Sequence, residues 1–255
     1  MCLLVFAWQH HPEYRLILAG NRDEFFARPS RQACWWRHPT ELLAGRDLKA
    51  GGTWLGINRG GRFGVVTNFR EMGNAAGAGP SRGHLIPAFL GSDKSVETFF
   101  DELSVRRDEL PPFSLIFGDM TELHYISNRA DPVHLIPPGI HGLSNHALNT
   151  PWPKVTRTRA RFENCLDAAD IDSGALFEIL ADRSQADEKE LPETELSKEL
   201  EKRLSSPFIV MPNYGTRCST VLTVRNTGAV IFIERSFERD GTFAGASTIE
   251  FELPV

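Results

Sequence analysis

Apolar and polar residues alternate, or run together, in short blocks along most of this chain, and the blocks read as strands. Cys2–Trp8 is apolar at every position and predicts a strand buried on both faces. His11-Pro12-Glu13 makes a turn, and Arg15–Asn21 returns as a second apolar strand, so the two form a hairpin. Arg22–Pro29 is expected to leave the strand, with Arg28-Pro29 as an extended exit. Thr53–Asn58 and Phe63–Asn68 flank Arg59-Gly60-Gly61-Arg62 and predict a second hairpin. Phe113–Gly118 and Leu123–Ser127 pair around Asp119-Met120-Thr121, and His141–Asn145 is a short extended piece. Cys218–Arg225 and Ala229–Phe237 bracket Asn226-Thr227-Gly228, and Ser247–Leu253 alternates to the end.

Between these blocks the period changes to that of helices. Ser81 is placed to cap a helix through Leu90. Ser95 is placed to cap another, with Val96, Phe99, Phe100 and Leu103 on one face. Pro153–Ala169 reads as a helix entered through a proline, and Gly174–Ala181 as a further one. Glu71–Gly79 is small and glycine-rich, hence a loop. Asp187–Arg203 is charged, hence a solvated loop with a surface helix near its end. Strands at both ends with helices segregated between them predict one layered α+β domain over residues 1–255. The βα alternation of a doubly wound sheet is missing, and so is a GxGxxG or GxxxxGK[ST] phosphate loop.

Composition narrows the function classes. A net charge of −5 argues against a nucleic-acid partner, because phosphate binding needs excess Lys and Arg. The N-terminal apolar run is too short for a signal peptide or a membrane span, which leads to the expectation of a cytoplasmic protein without stable membrane insertion. Four cysteines at 2, 34, 165 and 218 form no CxxC pair, and the eight histidines show no ligand spacing, so no metal is expected. The 17 phenylalanines against 3 tyrosines read first as core, with an apolar pocket for an acyl chain or flat ring as the alternative.

Cys2 carries the most chemistry. Loss of Met1 would put a thiol and an α-amine on one residue, with reference pKa values of about 8.5 and 7.7–8.0. The amine then serves as base for its own nucleophile. Asn21-Arg22-Asp23-Glu24 ends the partner strand with four polar side chains. Arg22 is suited to stabilise a thiolate and Asp23 to hold an α-ammonium. Asn68 and Asn145 end strands, where side-chain amides can donate to an oxyanion. Arg217 opens a late strand.

The literal Asn21-Arg22-Asp23-Glu24, Gly52-Thr53-Trp54-Leu55-Gly56, Thr67-Asn68-Phe69-Arg70, Ser81-Arg82-Gly83, Leu143-Ser144-Asn145 and Arg217-Cys218-Ser219-Thr220 together with Cys2 resemble the NRDE family, that of the transport-and-Golgi-organisation proteins. The resemblance implies an α+β, four-layer αββα Ntn-hydrolase sandwich of mainly antiparallel sheets. More distantly, it is similar to choloylglycine hydrolase and penicillin V acylase, which cut amides with an N-terminal cysteine. By that likeness Cys2 is nucleophile and base, Arg22 and Asp23 position it, Asn68 and Asn145 hold the oxyanion and the base, and Arg217 completes the charge balance. Asn21, Trp54 and Arg82 are the candidates for substrate contact. One departure is visible: in the choloylglycine group two residues separate the arginine from the aspartate, whereas Arg22 and Asp23 are adjacent. Neighbours on a continuing strand face opposite sides. Either the strand breaks there, or Asn21 and Asp23 share one face and Arg22 takes the other.

Two functions follow from these readings. One is an amidohydrolase that acts on a small amide or acyl conjugate through a Cys2 thioester and needs no cofactor. The other is a carrier that keeps the cleft as a pocket for haem or an acyl lipid, since family members are linked to Golgi organisation, haem trafficking and lipid metabolism.

Overall fold

The computed structural model describes residues 2–37, 41–71 and 79–254. In chain order the strands are β1 (Cys2–Trp8), β2 (Tyr14–Phe25), β3 (Ser30–Trp36), β4 (Leu42–Asp47), β5 (Leu55–Asn58) and β6 (Phe63–Asn68), followed by helices α1 (Leu85–Leu90) and α2 (Val96–Arg106). Then come β7 (Phe113–Gly118), β8 (Leu123–Ser127), β9 (Gly139–Leu143), α3 (Pro153–Asn164), α4 (Ser173–Leu180), α5 (Lys198–Leu204), β10 (Tyr214–Arg225), β11 (Ala229–Phe237) and β12 (Phe243–Glu252). The chain is α+β, and it divides into two compact units.

The first unit comprises residues 1–27, 138–144 and 148–250 and holds a six-stranded sheet in the order β12-β11-β10-β2-β1-β9. β1 pairs antiparallel with β2 on one side and with β9 on the other, which accounts for its apolar run: all seven residues are buried. On one face Val5, Ala7, Ile17, Ala19 and Val221 pack against Phe162 of α3 and Leu176, Phe177 and Leu180 of α4. Burial of such side chains contributes about 1.5–3 kcal/mol each. α3 begins with Pro153 in its first turn, where the missing N–H costs nothing. It lies close to β9, because a side chain on Gly142 would meet Val155 Cγ1 at 2.6 Å. Asp172 caps α4 by accepting from the Gly174 amide, and Ser197 caps α5 by accepting from that of Leu200.

The second unit, residues 28–137, 145–147 and 251–255, holds the sheet β3-β4-β5-β6-β7-β8. The β5–β6 hairpin turns through Gly60-Gly61, with Gly61 at φ +82°, where only glycine is unstrained. Ser95 caps α2 as its sequence suggests. The core of this unit takes Phe89, Phe99, Phe100, Phe113 and Phe117. Phe89 meets Phe99 and Phe117 edge to face with centroids 5.0 Å apart, so these phenylalanines are core. Among the described residues no helix is long and apolar enough to cross a membrane.

Several expectations are corrected. β2 does not end at Asn21: Asp23, Glu24 and Phe25 continue it because β10 pairs with them through Thr216, Gly215 and Tyr214. Strands β3 and β4 were hidden in the sequence, since a register shift between Arg31 and Cys34 breaks the alternation. Ser81 makes no side-chain cap, and a short 3-10 turn at Arg82–His84 precedes α1. α3 stops at Asn164 rather than Ala169. The expected loop at Glu71–Gly79 falls mainly on residues 72–78, outside the described residues.

Asn21 ties this first unit together. Its Nδ2 donates to the Leu180 and Pro207 carbonyls, both at 2.9 Å, and its Oδ1 accepts from Ser219 Oγ at 2.6 Å. Replacing Asn21 with Ala strands these partners, and the expected loss is about 2–4 kcal/mol in denaturant unfolding.

Candidate active site

In the first unit, strand register decides which side chains meet. Cys2 pairs with Arg22, and Arg22 pairs with Cys218 on its other side. The three residues therefore stand in a row on one face, about 4.8 Å from strand to strand, with the arginine between two cysteines. Asn21 and Asp23 face the other way, toward α3 and α4. The adjacency of Arg22 and Asp23 is thus resolved without a break in the strand: Arg22 shares the face of Cys2, and Asp23 lies behind it.

Arg22 is held by Glu24, two residues along the same face, at 3.7 Å. Arg217 sits at the β10 irregularity between Thr216 and Cys218. Its Nη1 donates to the Phe25 carbonyl at 3.2 Å, and its guanidinium lies 5.5 Å from the Phe26 ring centre. Burial and the neighbouring Arg22 push the Arg217 pKa down.

Asp23 is 2% exposed. Its Oδ1 accepts from Thr216 Oγ1 at 2.7 Å, and the same Thr216 oxygen accepts from the Ile209 amide at 2.9 Å. The Tyr214 hydroxyl donates to the Asp23 carbonyl at 3.1 Å. Burial raises the Asp23 pKa, opposed by Lys154, the Thr216 hydroxyl and Arg22. Lys154, in the first turn of α3, is 1% exposed.

Burial raises the Cys2 thiol as well. The Asp23 carboxylate raises it further, and Arg22 and a main-chain hydrogen bond from Asp23 lower it. Ser144 Oγ donates to the Cys2 carbonyl at 2.9 Å and anchors the start of β1. Beyond Arg22, where β2 continues to Phe25, an open cavity of about 360 Å³ is lined by Phe25, Leu200, Arg203, Met211, Pro212 and Tyr214.

The second unit brings two other candidates together. Asn145, at φ +53°, donates from Nδ2 to the Asn68 carbonyl at 2.9 Å, and its own carbonyl accepts from the Arg70 amide at 2.8 Å. Arg82 Nη1 donates to the Pro112 carbonyl at 2.7 Å, and the Trp54 carbonyl accepts from the Val66 amide at 2.8 Å. Trp54 is buried and Arg82 half-buried. Asn21, fully buried and held by three hydrogen bonds, is not open to a substrate. Among the described residues no group of three or more His, Cys, Asp or Glu is placed to hold a metal ion.

Sequence reasoning passed over Lys154 and Thr216. Lys154 had a signal: it falls on the face of α3 that also carries Val155, Thr158 and Phe162, a position where a lone cation needs a partner. Thr216 had none, since its role depends on pairing with a strand almost 200 residues earlier.

Comparison with known proteins places this arrangement. The profile of the family described as Transport and Golgi organisation 2 matches residues 1–239. The Bos taurus Transport and Golgi organization protein 2 homolog is 35% identical over 279 residues, covering 99% of each chain. The Mus musculus and Homo sapiens homologs are 32% and 31% identical, again over 99% of each chain. In structure, the chain is similar to a Caenorhabditis elegans N-acylethanolamine-hydrolyzing acid amidase ortholog, with a TM-score of 0.50 at 12% identity, over 87% of this chain and 92% of that one. That likeness identifies the fold as the Ntn-hydrolase fold.

The cysteines should separate by burial. Cys34 is exposed and Cys165 intermediate, whereas Cys2 and Cys218 are buried with thiols raised by desolvation. With Met1 in place, iodoacetamide at neutral pH is expected to alkylate Cys34 first and Cys2 and Cys218 last, read by peptide mass spectrometry. Early labelling at Cys218 would contradict this environment.

Proposed function

This chain belongs to the transport and Golgi organisation 2 family, and on that premise we propose that it hydrolyses the C–N bond of a small amide or acyl conjugate with Cys2 as nucleophile. The observation that carries the reading is the register Cys2–Arg22, with buried Asp23 one residue further on. It sets a thiol beside a fixed cation at the very start of an immobile strand. The amidase fold of a structural neighbour adds support of a weaker kind, because one fold hosts many functions.

In this mechanism Met1 is removed, and the α-amine of Cys2 takes the thiol proton. The thiolate, beside Arg22, attacks the amide carbonyl carbon. The α-ammonium then gives its proton to the departing nitrogen, the C–N bond breaks, and a Cys2 thioester remains. Water, deprotonated by the same amine, hydrolyses the thioester and restores the thiol.

Two measurements test this. The intact mass of protein purified from its own host should lack Met1; quantitative retention would remove the base and defeat the mechanism. On an N-acyl amide that the wild type turns over, Cys2→Ala is expected to lower kcat by about 10³-fold or more. Wild-type turnover in that variant would rule Cys2 out.

A further inference from the structure

Lys154 is a cation in a place where cations are seldom found. It is 1% exposed and sits in the first turn of α3, next to Val155, which packs with Trp152 on Leu3 of β1. Leu3 pairs with Asn21, and Asp23 is the next residue of β2 on that same face, so the start of α3 lies over the end of the sheet where β1 begins. The anion there is Asp23, itself 2% exposed. We propose that Lys154 is a positioning residue for Cys2: its buried ammonium balances the Asp23 carboxylate, so that the Cys2 amine and thiol meet a neutral pair instead of a bare anion.

This inference rests on the reading of Cys2 as an N-terminal nucleophile and assigns a residue that the sequence motifs do not include. A bare carboxylate would hold the α-amine protonated and disfavour the thiolate, and both effects weaken Cys2 at neutral pH. The groups that face Cys2 and Asp23 are Arg22 from β2, with Glu24 behind it, Thr216, Arg217 and Cys218 from β10, and Lys154 from α3. Of the cations, Arg22 and Arg217 are paired in register with, or adjacent to, the thiols, while Lys154 belongs to the face that carries Asp23.

The experiment follows the ¹³Cβ resonance of labelled Cys2 through a pH titration, in full-length chain released from a cleavable N-terminal fusion so that Cys2 is the first residue. Removing a neighbouring cation raises the pKa of amine and thiol alike. Lys154→Met is therefore expected to move the Cys2 midpoint up by about one pH unit. Lys154→Arg, which keeps the charge, is expected to return it to the wild-type position. A folded Lys154→Met protein with the wild-type midpoint, or an arginine variant that titrates like the methionine one, would overturn the proposal. A purely structural role would change thermal stability and leave the midpoint in place. Should Lys154→Met fail to fold, Asp23→Asn is compared with the Asp23→Asn/Lys154→Met double variant, in which no buried carboxylate is left over. The double variant is expected to titrate higher, and coincident curves would overturn the proposal. The titration needs no substrate, so active Cys2→Ala would defeat the hydrolase reading without touching this result.

Discussion

Everything in the first unit hangs on the register of β1. Seven consecutive residues, Cys2 to Trp8, are buried; all are paired to β2 on one side, and Leu4 to Trp8 are paired to β9 on the other. A slip of one residue would turn every side chain to the opposite face and bring Cys2 beside Asp23 or Asn21 in place of Arg22. The apolar side chains make that slip costly, since each buried Leu, Val or Phe contributes about 1.5–3 kcal/mol. Hydrophobic packing thereby holds a thiol opposite a guanidinium, although neither group takes part in the packing. Ser144, donating to the Cys2 carbonyl, fastens the strand end that packing alone would leave to fray.

A second constraint follows from that placement. Once β2 continues past Arg22 under the pairing of β10, Asp23 goes into the interior on the helix side. A buried carboxylate costs on the order of several kcal/mol unless it is compensated. The compensation comes from different elements: the Thr216 hydroxyl from β10 and the Lys154 ammonium from α3. Thr216 is in turn oriented by the Ile209 amide, so the carboxylate is held by a chain of contacts rather than by one partner. The polar stretch Asn21–Glu24 is thus a strand whose alternate residues serve different ends, with Asn21 and Asp23 built into the interior and Arg22 and Glu24 forming a pair beside the thiol.

How much of this the sequence disclosed depended on where the information resides. β1, β5–β8, β10 and β11 follow from local patterns, because their apolar runs and turn glycines act within a few residues. The segment Asp23–Phe25 reads locally as an exit, and only β10 makes it a strand, so propensity was overridden by pairing. β3 was lost to an irregularity at Arg31–Cys34. For the site, the residues pointed to Cys2, Arg22 and Asp23 and the resemblance joined them, but the alternation rule left their faces open until register fixed them. Asn21 stood in the same motif and was read as a substrate contact. Its three partners, Leu180, Pro207 and Ser219, lie more than 150 residues away, which no local pattern discloses.

The row Cys2–Arg22–Cys218 poses a last question: why one thiol and not the other would do chemistry. Both are buried, and both face the same arginine. Their other companions differ. Beside Cys218 stands Glu234, whose charge and hydrogen bond add to burial and push that thiol well above its usual range. Beside Cys2 a main-chain hydrogen bond from Asp23 opposes burial. One guanidinium cannot hold two thiolates in a desolvated row without leaving net negative charge there, so the second thiol has to stay protonated. Glu234 weighs against Cys218, because it raises that thiol further than burial does alone. On the proposed mechanism the arginine's field then serves Cys2.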